Sequence, residues 1–194
     1  MRNCDRLTHS FIMGGMDTAP AFDFDLDDSL KLLSATPGTL SAWLTHLPDR
    51  FTVSSGDRDN WAPYDIVGHL IHCDETDWIP RARVILAQGV DRNFPRFDRY
   101  GQFERPGDKT LSDLLTEFEA IRRSSLEEVA SWNLNEQQLG LTGIHPEFGE
   151  VTLRQLLATW VVHDQTHIRQ IAVTIARRYE TAVGPWKAYL GILN

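Results

Sequence analysis

The stretch from Thr152 to Tyr179 is the longest amphipathic run in the chain, and it dictates how the rest must pack. Leu153, Leu156, Leu157 and Trp160, then Ile171 and Ile175, fall on one stripe at 3.6 residues per turn. The spacing predicts a helix about 40 Å long at 1.5 Å per residue. A helix of that length with a single apolar stripe needs other long helices to cover it. His163 and His167 lie on the same stripe, four residues and about 40° apart. Both should therefore face inward, where an imidazole without polar partners is costly. Two rings so placed can grip one metal ion. The plainer reading is a pair of core histidines satisfied by Asp164, Thr166 or backbone.

Three further helices follow from periodicity. Asp25 to His46 carries Leu26, Leu30, Leu33, Leu40, Trp43 and Leu44, with Pro37 expected to kink or split it. Trp61-Ala-Pro63 opens a second helix, since proline is tolerated in a first turn. That helix runs through Ile66, His69, Leu70, Cys73 and Asp77 to Leu86, with a bend expected at Pro80. A third helix runs from about Thr110 to Trp132. Residues 91–108 read as a long ordered connection, and no strand-like alternation stands out. The aromatic tail from Val183 to Leu193 is expected to pack back on the helices. Four long helices with long crossings predict an all-α four-helix bundle.

A chain of 194 residues suits one domain with a single sizeable core. Residues 1–22 read as a flexible tail, with Met16 after Gly14-Gly15 as an alternative start, and 23–194 as the bundle domain. The formal charge of -8 argues against a sequence-independent nucleic-acid binder, which needs a basic face. No apolar run approaches the roughly 20 residues of a membrane span. Cys4 and Cys73 form no disulfide framework, so a reduced cytoplasmic protein is expected.

His69 is the best partner for the His163/His167 pair. Ile66, His69, Cys73 and Asp77 follow one another at spacings of 3, 4 and 4, which puts His69 on the inward stripe of the second helix. Three imidazoles from two helices would leave a coordination position open, as catalytic rather than structural zinc-type sites do. Imidazole ligation discriminates poorly among zinc, nickel, copper and iron.

Residues 61–78, from Trp61-Ala-Pro-Tyr-Asp-Ile-Val-Gly-His69 onward, resemble the first motif of the DinB superfamily, which includes the YfiT-like metal-dependent hydrolases. Residues 149–171 resemble the second motif, and Arg178 to Leu190 resembles the ending of many members. The resemblance implies a DinB/YfiT-type four-helix bundle with His69, His163 and His167 as the ligands of one divalent metal ion, most simply zinc or nickel. It also implies a homodimer and a small-molecule substrate. Better understood relatives use the open metal position to activate a low-molecular-weight thiol, mycothiol or bacillithiol. The resemblance thus implies either a thiol-dependent S-transferase or a hydrolase, with a non-catalytic metal-binding stress or interaction protein as the alternative.

Other residues take lesser parts. Asp164 compares with the acid of His-Glu-x-x-His but is one methylene shorter, so it is expected to orient an imidazole rather than act as base. Trp78, Arg81 and His145 are candidates for the substrate pocket. Arg81 would present a guanidinium to an anion, or else form a surface salt bridge. His145 would overhang the bundle, or else be fixed by its turn. His72 borders the pocket. A ferritin-like di-metal site requires inward carboxylates with Glu-x-x-His pairs, and none is seen on the inward stripes.

Overall fold

The computed structural model describes residues 23–53, 56–89, 91–104 and 108–194; the expected N-terminal tail lies outside them. Helix α1 (Leu26–Leu44) starts where the Asp25 carboxylate accepts the Asp28 backbone N–H at 2.8 Å. It runs unbroken through Pro37. Proline at 37 leaves the carbonyl of Leu33 without its helical donor, and Arg122 from another helix donates Nη1–H to that oxygen at 3.0 Å. The break anticipated at Pro37 is thereby avoided.

A short helix α2 (Asp49–Thr52) precedes α3 (Pro63–Cys73), whose first residue is the proline. A π-helical turn, Asp74–Trp78, joins α3 to α4 (Ile79–Ala87). The π turn widens the helix just before Pro80, where a regular α-helix would need the N–H that proline lacks. It also carries Asp74, Asp77 and Trp78 into the interior. Helix α5 (Leu111–Ser131) begins with a capping box between Thr110 and Asp113. After the short α6 (Glu136–Leu139), the chain makes a hairpin and enters α7 (Leu153–Arg177), capped by Thr152 and Gln155.

The hairpin pairs β1 (Thr142–His145) with β2 (Gly149–Thr152), antiparallel, with Gly149 at φ 73° closing the turn. These strands were not anticipated from sequence. At four residues each, they are too short to show alternation, and an outside segment supports them: Phe94 donates to the Ile144 carbonyl at 2.9 Å and Ile144 donates to that of Arg92 at 2.8 Å. The long connection 91–104 is thus anchored on the hairpin. The C-terminal tail returns to α7 through its last turn, as expected, but not through its aromatics. It forms two 3-10 turns (Gly184–Tyr189 and Gly191–Leu193) with no buried residue, and Trp186 and Tyr189 remain largely exposed.

The apolar core is in two clusters. One gathers Trp78, Ile85, Leu153, Leu157 and Trp160; the other gathers Ile66, Leu70, Phe118 and Ile171. Between them the packed helices place polar groups at matching levels. On α7, His163, Asp164 and His167 lie between Trp160 and Ile171. On α5, Arg122 lies between Phe118 and Val129, and His69 on α3 and Asp74 on the π turn lie near the boundary. The site occupies this polar layer.

Candidate metal centre

His69 from α3 and His163 and His167 from α7 converge, with ligand nitrogens all within 4.8 Å of one another. Nε2 of His163 lies 3.1 Å from Nε2 of His167. Two nitrogens that share an ion at 2.0–2.1 Å stand roughly 3.0–3.5 Å apart. The three rings contact one another, with His69 4.8 Å from His167 and 5.4 Å from His163 between centroids. Trp61 packs beside both His69 (4.9 Å) and His167 (6.3 Å, nearly parallel), and Trp78 meets His163 edge-on at 5.1 Å.

The second nitrogen of each ring decides how the first is presented. Nδ1 of His167 lies 2.8 Å from Oε1 of Gln170, an acceptor, which fixes the proton on Nδ1 and leaves Nε2 as a lone pair facing its neighbours. Nδ1 of His69 and Nδ1 of His163 are buried without a hydrogen-bond partner among the described residues. Gln102, also buried and with neither amide atom bonded among the described residues, stands close enough to His69 to oppose the lowering of its pKa.

All three rings are held neutral. Burial, then the His167 ring, pushes His69 down to about 3, with Gln102 opposing and Arg99 adding a smaller push. Burial followed by His167 and His69 takes His163 down to about 2, and burial lowers His167 as well. Three neutral imidazoles are the protonation state a metal ion requires. Cys73 lies against the group, Sγ being 3.4 Å from Nε2 of His69 and 3.9 Å from Nε2 of His163. Burial, then Asp77, Asp74 and Asp164, pushes its thiol well above the usual cysteine range.

Behind the rings, Arg122 is fully buried between two carboxylates. It donates Nε–H and Nη2–H to Asp74 at 2.6 and 3.0 Å, and Nη1–H and Nη2–H to Asp164 at 2.5 and 3.1 Å. Trp160 Nε1–H adds a bond to Asp74 at 3.2 Å. Burial pushes Asp74 up to about 6 against the pull of Arg122.

Several expectations are corrected by these contacts. Asp164 does not orient an imidazole: both its oxygens accept from Arg122, and the ring-orienting acceptor is Gln170. Arg81 makes no surface pair; it is buried with Nε 2.7 Å from Asp77 Oδ1, an ion pair whose angles fall short of a hydrogen bond. Carboxylates do face inward, contrary to expectation, but Asp74, Asp77 and Asp164 are held by arginines.

A cavity of 440 Å³ reaches the imidazoles, lined by His69 and His167 together with Trp61, Phe97, Arg58 and Arg99. Arg81 and His145 line a neighbouring cavity of 350 Å³ that shares Phe97 and Arg99 with the first. Trp78 is a buried wall against His163. His145 is fixed by its turn, its Nδ1 accepting from the backbone of Glu147 (3.1 Å) and Phe148 (3.3 Å). His72 is tied to the Asp98 carbonyl at 3.0 Å, away from the triad. Sequence reasoning missed Trp61, Gln102, Arg122 and Gln170 as members of the site. Gln170 carried a legible signal, standing one turn after His167 on the same helix. Gln102 and Arg122 carried none, because they come from other segments.

A bundle of this topology with three histidines in its polar layer defines a class: the chain belongs to the DinB superfamily, whose profile matches residues 32–171. Among solved structures it is similar to YfiT from Bacillus subtilis, with a TM-score of 0.66 and 18% identity over 82% of this chain and 93% of that one. YfiT is described as a probable metal-dependent hydrolase with an unusual four-helix bundle topology. No curated protein matches the sequence.

Proposed function

We propose that this protein is a metal-dependent enzyme acting on a small molecule, with His69, His163 and His167 holding one divalent ion, zinc or nickel. The observation that carries the reading is the convergence of three neutral imidazoles beside a cavity that reaches two of them. The donor set fits such an ion in number, charge state and spacing. A divalent ion there lowers the pKa of a bound water or thiol and supplies a nucleophile near neutral pH. The chain's own part is positional. Gln170 sets the tautomer of His167, Trp61 and Trp78 wall the rings, and the Arg122 network ties the helices that bear them.

Two chemistries suit this arrangement. We favour S-transfer from a low-molecular-weight thiol to an electrophile, for which the two adjoining cavities offer room for both reactants. Hydrolysis is the other, supported by the description of YfiT. The enzyme works in the cytoplasm, and neither nucleic acid nor membrane is a partner. The formal charge of -8 supports the exclusion of nucleic acid; no described helix is long and apolar enough to cross a membrane. The exposed Trp186 and Tyr189 support a homodimer, which sedimentation at micromolar concentration tests.

A non-catalytic metal protein is the competing reading, and one observation favours it: a Cys73 thiolate would close the site as a fourth ligand. The burial of Cys73 within the apolar core cluster beside Trp78 and Leu157 counts against it. Elemental analysis of untagged protein should find one metal per chain, lost in His163→Ala. The metal-loaded protein should then turn over an electrophile with mycothiol or bacillithiol, or else hydrolyse an ester or amide panel. Absence of stoichiometric metal in the parent overturns the reading.

A further inference from the structure

The cavity at the histidines adjoins a larger one of 720 Å³, and the two share Asp59, Trp61 and Gln170. Arg58 and Arg99 line the first; Arg169, Arg177 and Arg178 line the second. Asp59 is the single carboxylate among the described residues lining either. In a chain with 27 acidic and 19 basic residues, this five-to-one excess runs against the overall charge.

Arg58 and Arg99 lie over the Tyr100 ring at 5.8 and 5.3 Å, contacts that leave their N–H groups free to meet an anion. Elsewhere four arginines pair with carboxylates: Arg81 with Asp77, Arg83 with Glu128, Arg122 with Asp74, Arg154 with Glu136. None of the five at the cavities has its guanidinium in an ion pair with another described residue. Concave surfaces lined by one sign of charge focus the field and concentrate the opposite ion. Guanidinium is the side chain best suited to carboxylate and phosphate oxygens. Between the arginines, Trp61, Phe97 and Tyr100 offer flat apolar walls.

We propose that the substrate is an organic anion, its charged group on Arg58 and Arg99 and its flat or apolar body on Trp61, with the reacting atom toward His69 and His167. Arg177 lies ten residues beyond His167 on α7, about 15 Å along the axis. The second cavity therefore accepts charge carried further along a longer substrate. This assignment rests on the proposed function for what the anion undergoes, but the binding itself is read separately.

The test compares phenylphosphonate with neutral benzamide by titration calorimetry on the protein as purified, its metal content measured in parallel. Phenylphosphonate is expected to bind at least about tenfold more tightly, and Arg99→Gln and Arg58→Gln should each weaken it by about tenfold while leaving benzamide unchanged. Raising the ionic strength should weaken phenylphosphonate alone. Equal binding of the two probes, no measurable phenylphosphonate binding, or indifference to both arginine variants overturns the proposal. A repeat after chelator treatment separates the two readings. Binding lost with the metal but untouched by Arg99→Gln means an anion held by the ion, which overturns this proposal and leaves the metal centre standing. A metal-free parent that still binds phenylphosphonate through Arg99 does the reverse.

Discussion

Arg122 on α5 and Asp164 on α7 meet at 2.5 Å in a fully buried ion pair, one residue along the chain from His163. The same guanidinium holds Asp74 at the start of the π turn and the Leu33 carbonyl freed by Pro37. One side chain therefore ties three helices to α5 at the level of the imidazoles. Removing it strands two buried carboxylates, and breaking a buried pair typically costs about 3–5 kcal/mol. Arg122→Met should lower the urea unfolding free energy by about that much. Asp164→Asn in the same background should recover part of the loss. A midpoint unchanged by Arg122→Met would show that the network carries no stability.

Gln170 is half-buried and bonds Nδ1 of His167, so its influence should fall on the ring more than on the fold. Partners of this kind typically contribute about 10–100-fold to metal affinity. Gln170→Leu should weaken zinc binding in competition with a chromophoric chelator by about that factor, while the thermal midpoint of the chelator-treated protein changes little. An unaltered affinity would remove Gln170 from the site.

The depressed histidines make the metal-free fold acid-sensitive. Unfolded imidazoles take up protons near 6.5, whereas folded His69 and His163 remain neutral to about 3 and 2. Below 6.5 the unfolded chain thus binds more protons, and stability falls as pH falls. From pH 6.5 to 5 each ring accounts for on the order of 2 kcal/mol. Asp74 and Asp77, both pushed up to about 6 by burial, work in the opposite sense and each offset about 1 kcal/mol over that range. Chelator-treated protein should unfold at clearly lower urea at pH 5 than at pH 7.5, and His163→Asn should flatten the dependence. A flat profile for the parent would contradict the neutral, buried state of the rings.

The helices and the three ligand candidates were legible because both express helical periodicity. Leu153, Trp160 and Ile171 marked the inward face of α7, and the histidines shared it. What escaped reading was what periodicity does not encode. Arg122 lies 42 residues from Asp164 and 48 from Asp74, so nothing local announces their pairing. The kink or split expected at Pro37 does not occur, because the donor that replaces the lost helical bond comes from α5. The hairpin depends on Arg92 and Phe94 from a distant connection, and the tail aromatics expected to pack on the helices stay exposed.

Cys73 decides between an open and a closed centre. Its sulfur is near enough to His69 and His163 to join them as a thiolate once an ion draws off its proton. Burial in the same cluster as Trp78 and Leu157 instead gives the residue a packing role. Cys73→Ala should therefore retain one metal per chain, at a stability cost of roughly 1 kcal/mol for the sulfur's lost contacts. Cobalt substitution supplies the second readout. A parent with only nitrogen and oxygen ligands lacks the intense near-ultraviolet thiolate-to-cobalt charge-transfer band. If that band appears in the parent and vanishes in Cys73→Ala together with the metal, the site is closed by sulfur and the competing, non-catalytic reading prevails.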